Sequence, residues 1–331
     1  MKQEKVLKKN KNFYCGVIFT VLEGLLSGSN FMVLYAVMQM LYRNEIRINT
    51  LLTLTGVLAG IYFLRLFVYS FGYTQGQIGG AKVSKNIRLH LGDKIKKIPL
   101  SRFTKGQTGQ YINTITSDVS NYEKVLTHKT GDLAKNISLS VMLIVFVAVI
   151  WFPAGIILLC TDLLLIPAFW FSFRAVKKYG NEKKQICAEN VSSIVEYVTG
   201  IQTFRAYGIG GTKNETVTKA MKDFSDISYI YEAKVIPIGS ILGVLAWCSI
   251  PVVMVAGIGL VLNGELDLIS YLLISMLPLF LAKLETTIFV DLTSYKNLTI
   301  SKRQITSIFK EPEETGSMEP LQTATHEITF D

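Results

Sequence analysis

The chain has 331 residues, half of them hydrophobic, with a mean hydropathy of +0.35 and a formal net charge of +9. Apolar content this high, blocked into long runs, argues against one large soluble core and for membrane spans. The four cysteines, Cys15, Cys160, Cys187 and Cys248, form no C-x-x-C pair and three lie in apolar runs. That argues against a disulfide framework and a metal site, and predicts buried, reduced thiols.

The start, MKQEKVLKKNKNFY, is basic. The apolar run after it is too long for a signal-peptide core and lacks a small-residue cleavage site. Six apolar segments follow, at about 13–41, 51–72, 133–150, 154–173, 236–262 and 268–290. Each suffices for about 20 helical residues across a hydrocarbon core of roughly 30 Å. The predicted fold is an all-α membrane protein with six transmembrane helices. Lys135 sits at the inner edge of the third span, and Pro167, Pro237, Pro251 and Pro278 fall in the fourth to sixth. The last three predict kinks.

Lysine and arginine set the orientation. Twenty-nine of them lie in 1–12, 73–132, 174–235 and 291–331, whereas the opposite loops hold Arg43 and Arg47. Both termini are therefore expected in the cytoplasm of a multi-pass plasma-membrane protein. The same asymmetry removes nucleic acid as a partner, since a basic cytoplasmic face is expected of any polytopic membrane protein. It also discounts the N-x-[ST] matches at Asn136, Asn190, Asn214 and Asn297.

The outer loops, about 42–50, 151–153 and 263–267, are short. The two inner connections run about 60 residues each, too long for structureless loops. Segment 75–97 places Ile78, Val83, Ile87, Leu91 and Ile95 at helical spacing. Segment 183–204 does the same with Ile186, Val191, Ile194, Val195, Val198 and Ile201. The spans thus continue as helical stalks about 35 Å beyond the membrane.

Charges inside spans are costly and face the bundle interior or a wet cavity. The candidates for polar groups of a translocation path are Glu23, Arg65, Asp162, Lys283, Glu285 and Asp291. Glu23 and Arg65 both fall in the inner half and can pair, which makes a structural ion pair the competing reading. Asp162 can bind a cationic group or accept a hydrogen bond from a neighbouring helix. Lys283 and Glu285, two apart, point to different sides of their helix. Phe31, Tyr35, Tyr62, Phe63, Phe67, Tyr69, Trp170 and Trp247 either line a pocket or face lipid.

The tips of the two inner connections carry a resemblance. The first reads Pro99, Leu100, Phe103 and then KGQTGQYINTITSD, with Gly109 and Asp118. The second reads ENVSSIVEYVTGIQTFRAYGIGGTKNE, with Glu196, Gly200, Ile201 and Phe204. With the six spans and Pro167, this resembles the transmembrane domain of exporter-type ATP-binding-cassette (ABC) transporters over roughly 10–331. The resemblance implies a basic N-terminus at 1–12, a transmembrane domain at 13–310, and at 311–331 a linker and the first strand of a nucleotide-binding domain, HEITF.

It further implies short coupling helices at about 104–112 and 205–215 that dock on nucleotide-binding domains. Gly106, Gly109, Gly208, Gly210 and Gly211 would allow the sharp turns. Phe103, Tyr111, Phe204 and Tyr207 would be docking side chains, with Asp118, Glu196 and Gly200 as motif residues beside them. The expected partners are that domain, a second half-transporter and membrane lipid. The substrate class is open among small molecule, lipid, peptide and siderophore. His128 is similar to a feature of siderophore importers of the same fold, or is a solvated stalk residue.

No G-x-x-x-x-G-K-[ST] occurs, and GIGGTKNE at 208–215 lacks its ending. The chain is therefore expected to carry no catalytic residue, metal or cofactor of its own and not to hydrolyse ATP alone. ATP and Mg²⁺ belong to the associated domain. A six-span channel or receptor is the alternative of another class. Against it stand the short 151–153 loop, with no room for a pore loop, and the absence of a substantial outer domain.

Overall fold

The computed structural model describes residues 7–45, 47–103, 105–209 and 214–314. Within these residues there is no strand. The first two helices are α1 (Lys11–Tyr42) and α2 (Ile48–Ile95). A 3₁₀ turn at Leu100–Arg102 leads to α3 (Lys105–Asn113). Then come a π turn at Thr114–Asp118, α4 (Val119–Lys124), a second π turn at Val125–Lys129, and α5 (Thr130–Ile150). The remaining helices are α6 (Phe152–Thr199), α7 (Ile201–Ala206), α8 (Glu215–Trp247), α9 (Ser249–Leu262) and α10 (Leu268–Lys310).

Among the described residues, six helical tracts are long and apolar enough to cross a membrane, one for each span read from the sequence. Helices α2 and α6 have 48 residues each. At 1.5 Å per residue each is about 72 Å long and overruns a 30 Å hydrocarbon core by more than half its length. The overrun is the stalk.

Local chemistry sets the ends. The Asn10 side chain accepts from Phe13 N at 2.9 Å, Asn214 from Val217 N at 3.1 Å, and Asp267 from Ser270 N at 3.0 Å. These satisfy orphan donors at the starts of α1, α8 and α10. After α1 the chain turns through Asn44 at φ 56°, a conformation asparagine tolerates better than most residues. One extended residue, Trp151, separates α5 from α6, and Pro153 opens α6 where a missing N–H costs nothing.

The prolines act unequally. Pro167, Pro237 and Pro278 lie inside unbroken helices. The fifth span breaks at Cys248 instead. Pro251 cannot donate to the Trp247 carbonyl four residues back, and its ring crowds that carbonyl.

Close packing of α1 against α2 and α5 rests on small residues. Gly16, Thr20, Gly24 and Gly28 recur at intervals of four. A Cβ on Gly16 would lie 2.6 Å from the Gly76 nitrogen, and one on Gly24 2.5 Å from the Lys135 carbonyl oxygen. Only glycine lets these backbones approach so closely.

Two main apolar cores result. One, in the stalks, gathers Phe13, Ile87, Leu91, Val119, Ile305 and Ile308. The other, within the membrane spans, gathers Leu143, Leu158, Val253, Ile274, Leu277 and Leu281. Helix α10 joins both and is the central helix. Helix α2 instead turns its apolar residues outward, with Phe63 70% and Phe67 65% exposed. Tyr62, Trp170 and Trp247 also face outward. Phe31 and Tyr35 pack against the membrane core, with the Tyr35 hydroxyl 2.7 Å from Ser270 Oγ. The expectation of buried thiols needs correction. Cys160 and Cys248 are exposed and Cys15 and Cys187 half-buried; Cys160 lies on an uncovered face of α6, Cys248 at the break between α8 and α9, and Cys187 beside Asn113 at the edge of an open cleft.

Candidate translocation path and tip helices

The in-span charges meet across helices. Glu23 on α1 is 3% exposed and faces two cations. Arg65 Nη2 of α2 lies 3.1 Å from its Oε1, and Lys135 Nζ of α5 lies 2.8 Å from its Oε2. Ser27 Oγ donates to Oε1 at 3.1 Å. The pairing read from sequence is therefore present, with Lys135 as a third member. Beside it a small cavity of about 120 Å³ is lined by Tyr69, Tyr73, Gly76, His128 and Lys135. His128 is exposed, with its Nδ1 3.2 Å from Gln77 Nε2.

Both π turns carry a charge that reaches another helix. Asp118, 1% exposed, ends the first turn. It accepts from Lys184 of α6 and, at 2.9 Å, from Ser301 Oγ of α10. Lys129, in the second, lies 2.9 Å from Oδ1 of Asp291 on α10, which is 2% exposed. A π turn adds one residue to a helical turn and re-aims the side chains around it. An open cleft of about 450 Å³ lies beside both pairs, lined among others by Lys124, Lys183, Cys187 and Tyr231. Burial, then Asp118, pushes the Cys187 thiol up from the ordinary cysteine range.

On α10, Glu285 is 8% exposed, and on α6 Asp162 is half-buried, with an Oδ1 that has no hydrogen-bond partner among the described residues. Lys283 is exposed on another side of α10, as its two-residue offset predicts.

The two tips differ in construction. In the first, α3 spans 105–113, one residue beyond the predicted stretch, with Gly106 in its first turn. Tyr111 is 5% exposed and packs edge-on against Phe103 at 5.5 Å between ring centres. Burial, then Glu311, raises its hydroxyl above the usual tyrosine range. A Cβ on Gly109 would come within 2.6 Å of the Ala188 carbonyl oxygen, so α3 lies flat on the α6 stalk. Tyr111, Gly109 and Asp118 are thus inside the stalk bundle.

The chain after α10 is pinned to this tip. Glu313 Oε1 is 3.0 Å from Lys94 Nζ, Glu311 Oε2 is 3.9 Å from Arg102 Nε, and the Glu314 N–H donates to the Lys97 carbonyl.

In the second tip, the short helix is Ile201–Ala206, earlier than the 205–215 read from sequence. Gly200 ends α6 at φ −94°, ψ 11°, and Gly208 turns the chain at φ +69°. Phe204 stacks on Tyr197 at 5.5 Å, Glu196 is exposed, and Tyr207 is 78% exposed. Gly210 and Gly211 lie outside the described residues, as does the strand expected within 311–331.

This architecture has known counterparts. The model of the ABC transporter transmembrane region matches residues 13–282. Over 200 residues the chain is 23% identical to the mesentericin-Y105 transport/processing ATP-binding protein MesD of Leuconostoc mesenteroides. That stretch is 58% of this chain and 27% of MesD, so the match spans about a quarter of its relative. With six spanning tracts and a family match over most of its length, the chain belongs to the ABC transporter transmembrane region family.

Proposed function

We propose that this chain supplies one half of the translocation path of an ATP-driven transporter. In this reading the stalks face the cytoplasm, in keeping with the 29-to-2 split of basic residues. A second half completes the path, and nucleotide-binding domains carrying ATP and Mg²⁺ dock on the tips. The path opens to alternate sides as the stalks move as rigid levers.

One observation carries the reading. Helix α6 is a single tract that runs from its span to a projecting tip whose Tyr207 is 78% exposed. The buried carboxylates of Glu23, Asp118 and Asp291 pair with partly exposed cations of neighbouring helices. Removing a cation would leave a buried charge unpaired, so these ties resist independent movement of the helices.

Replacing Phe204 and Tyr207 by alanine, in the assembly with its ATPase, tests the coupling step. Expression and melting temperature are expected near wild type, while substrate-stimulated ATP hydrolysis and transport both fall. A single well-packed aromatic anchor at such an interface carries about 2 kcal/mol or more. Undiminished transport and stimulation in the double variant would remove the docking role.

A further inference from the structure

The open cleft of about 450 Å³ between the stalks carries charge that the chain does not balance. Four lysines line it, Lys124, Lys129, Lys183 and Lys184, against one acid among the described residues, Asp118. Lys184 is taken up by Asp118, and Lys129 by the buried Asp291. The other two lysines remain. Lys124 is exposed and pairs with no acid among the described residues. Lys183 has Glu232 at 3.9 Å, but that carboxylate is exposed, so water and salt screen the pair. The Lys183 ammonium also lies over the Tyr231 ring, 4.8 Å from its centre.

The same cleft has an apolar wall. Val125 and Leu298 are buried at it, and Phe224 and Tyr231 are half-buried. Two uncompensated ammoniums beside an aromatic and aliphatic wall suit one kind of ligand. A bare inorganic anion leaves the wall in water, and a neutral apolar molecule leaves the ammoniums unused. A doubly charged anionic group on an apolar body uses both. A phosphate monoester, close to two negative charges at neutral pH, matches the two lysines. Depth decides its source. The residues lining the cleft all lie outside the six apolar segments, so the cleft opens in the stalks, beyond the hydrocarbon core. A lipid headgroup there would have to draw its chains out of the bilayer.

We propose that this cleft binds a water-soluble organic anion, a phosphate monoester on an apolar body, held by Lys124 and Lys183 and packed against Tyr231. Helices α4, α6, α8 and α10 all contribute lining residues. An occupant therefore bridges the stalks and fixes their separation. The site stands on the cleft alone and not on the transport reading, and it is tested without an ATPase.

Calorimetric titration of the chain with phenyl phosphate, in nanodiscs of phosphatidylcholine, tests it. Expected is saturable binding of one equivalent that weakens as salt is raised. Phenol and inorganic phosphate each carry half of the recognised chemistry and are expected to bind at least about tenfold more weakly. Lys124→Gln and Lys183→Gln are each expected to weaken phenyl phosphate about tenfold, and Lys183→Arg to keep most of the affinity. Lys96→Gln removes an equal charge from an exposed position at the first tip and is expected to change nothing. No saturable binding, inorganic phosphate binding as well as phenyl phosphate, or an equal loss in Lys96→Gln overturns the proposal. So does native mass spectrometry in which phenyl phosphate displaces a bound phospholipid, which would give the cleft to a lipid headgroup. A measurement on the unaltered chain covers variants that fail to fold. Phenyl phosphate is expected to slow reductive methylation of Lys124 and Lys183 but not of Lys96, read by mass spectrometry of the digested chain. Unchanged rates at Lys124 and Lys183 also overturn it.

Discussion

The two tips share a vocabulary of glycines and aromatics, yet one is built into the molecule and the other stands off it. Helix α3 lies on α6 through Gly109, and its Tyr111 belongs to the same buried cluster as Ile98, Ile305 and Ile308. Helix α7 has no buried residue, and the chain leaving it exposes Tyr207. An aromatic in the first tip therefore holds the lever together, whereas one in the second is available to something outside this chain. Composition alone does not distinguish these roles; the burial of the ring does.

The largest effect that tests the contrast comes from truncating one tyrosine in each tip. Tyr111→Ala removes a ring that is 5% exposed. The stalk lies beyond the hydrocarbon core, so the ordinary cost of emptying an aromatic site applies, about 3–5 kcal/mol. Tyr207→Ala removes a ring already in solvent and is expected to change stability by no more than about 0.5 kcal/mol. Thermal unfolding of both variants in detergent or nanodiscs measures the difference. Equal losses would mean that the two tips are built alike.

Much of this was legible beforehand. The six spans follow from hydropathy, and the stalks from apolar residues at helical spacing in 75–97 and 183–204. The meeting of Glu23 with Arg65 followed from their depth in adjacent spans. Partners distant in sequence were not legible. Lys184 meets Asp118 across 66 positions, and neither the stalk pattern nor the charge count marks that lysine among its neighbours. The π turns leave no compositional trace, since Thr114–Asp118 reads as ordinary polar helix. The second tip helix lies earlier than 205–215 because Gly200, not Gly208 and its neighbours, ends α6. The four-residue ladder Gly16, Thr20, Gly24, Gly28 was readable as a close-packing face, and its spacing was the signal to use.

A middling effect is expected from Gly109→Ala. The new methyl would lie 2.6 Å from both the Ala188 carbonyl oxygen and Ser192 Cβ, and 2.7 Å from the Ser192 nitrogen. Two of those atoms are backbone and cannot swing away, so α3 must lift from α6. Overpacking of this kind costs about 1–3 kcal/mol. Gly208→Ala is the matched change in the second tip. Nothing lies near its Cβ position, and the cost there comes only from φ +69°, about 1 kcal/mol. Melting temperatures ordered with Gly208→Ala below Gly109→Ala would show that backbone strain outweighs packing at these tips.

The smallest effect concerns the pins that hold the chain after α10 against the first tip. Glu313 reaches Lys94 at 3.0 Å and Lys97 at 4.0 Å, and Glu311 reaches Arg102 at 3.9 Å. Glu313 is half exposed, with side-chain exposure of 51%. Water and salt screen such a pair, and exposed pairs typically contribute about 0.2–1 kcal/mol. Glu313→Gln is therefore expected to lower stability only slightly, and the difference from wild type should shrink as salt is raised. The local consequence is larger than the global one. Lys94 is buried to 11% side-chain exposure, so its ammonium is held in place chiefly by this carboxylate. Losing the carboxylate loosens residues 312–314 while leaving the Glu311–Arg102 pair and the Glu314 N–H bond to the Lys97 carbonyl as ties. Hydrogen exchange at Glu314 is the sensitive readout. Faster exchange in Glu313→Gln, with α7 unchanged, would establish that the first tip is fastened from two sides and the second from one. Unchanged exchange at Glu314 would mean that the backbone hydrogen bond alone fastens the segment and that the ion pairs are incidental to the difference between the tips.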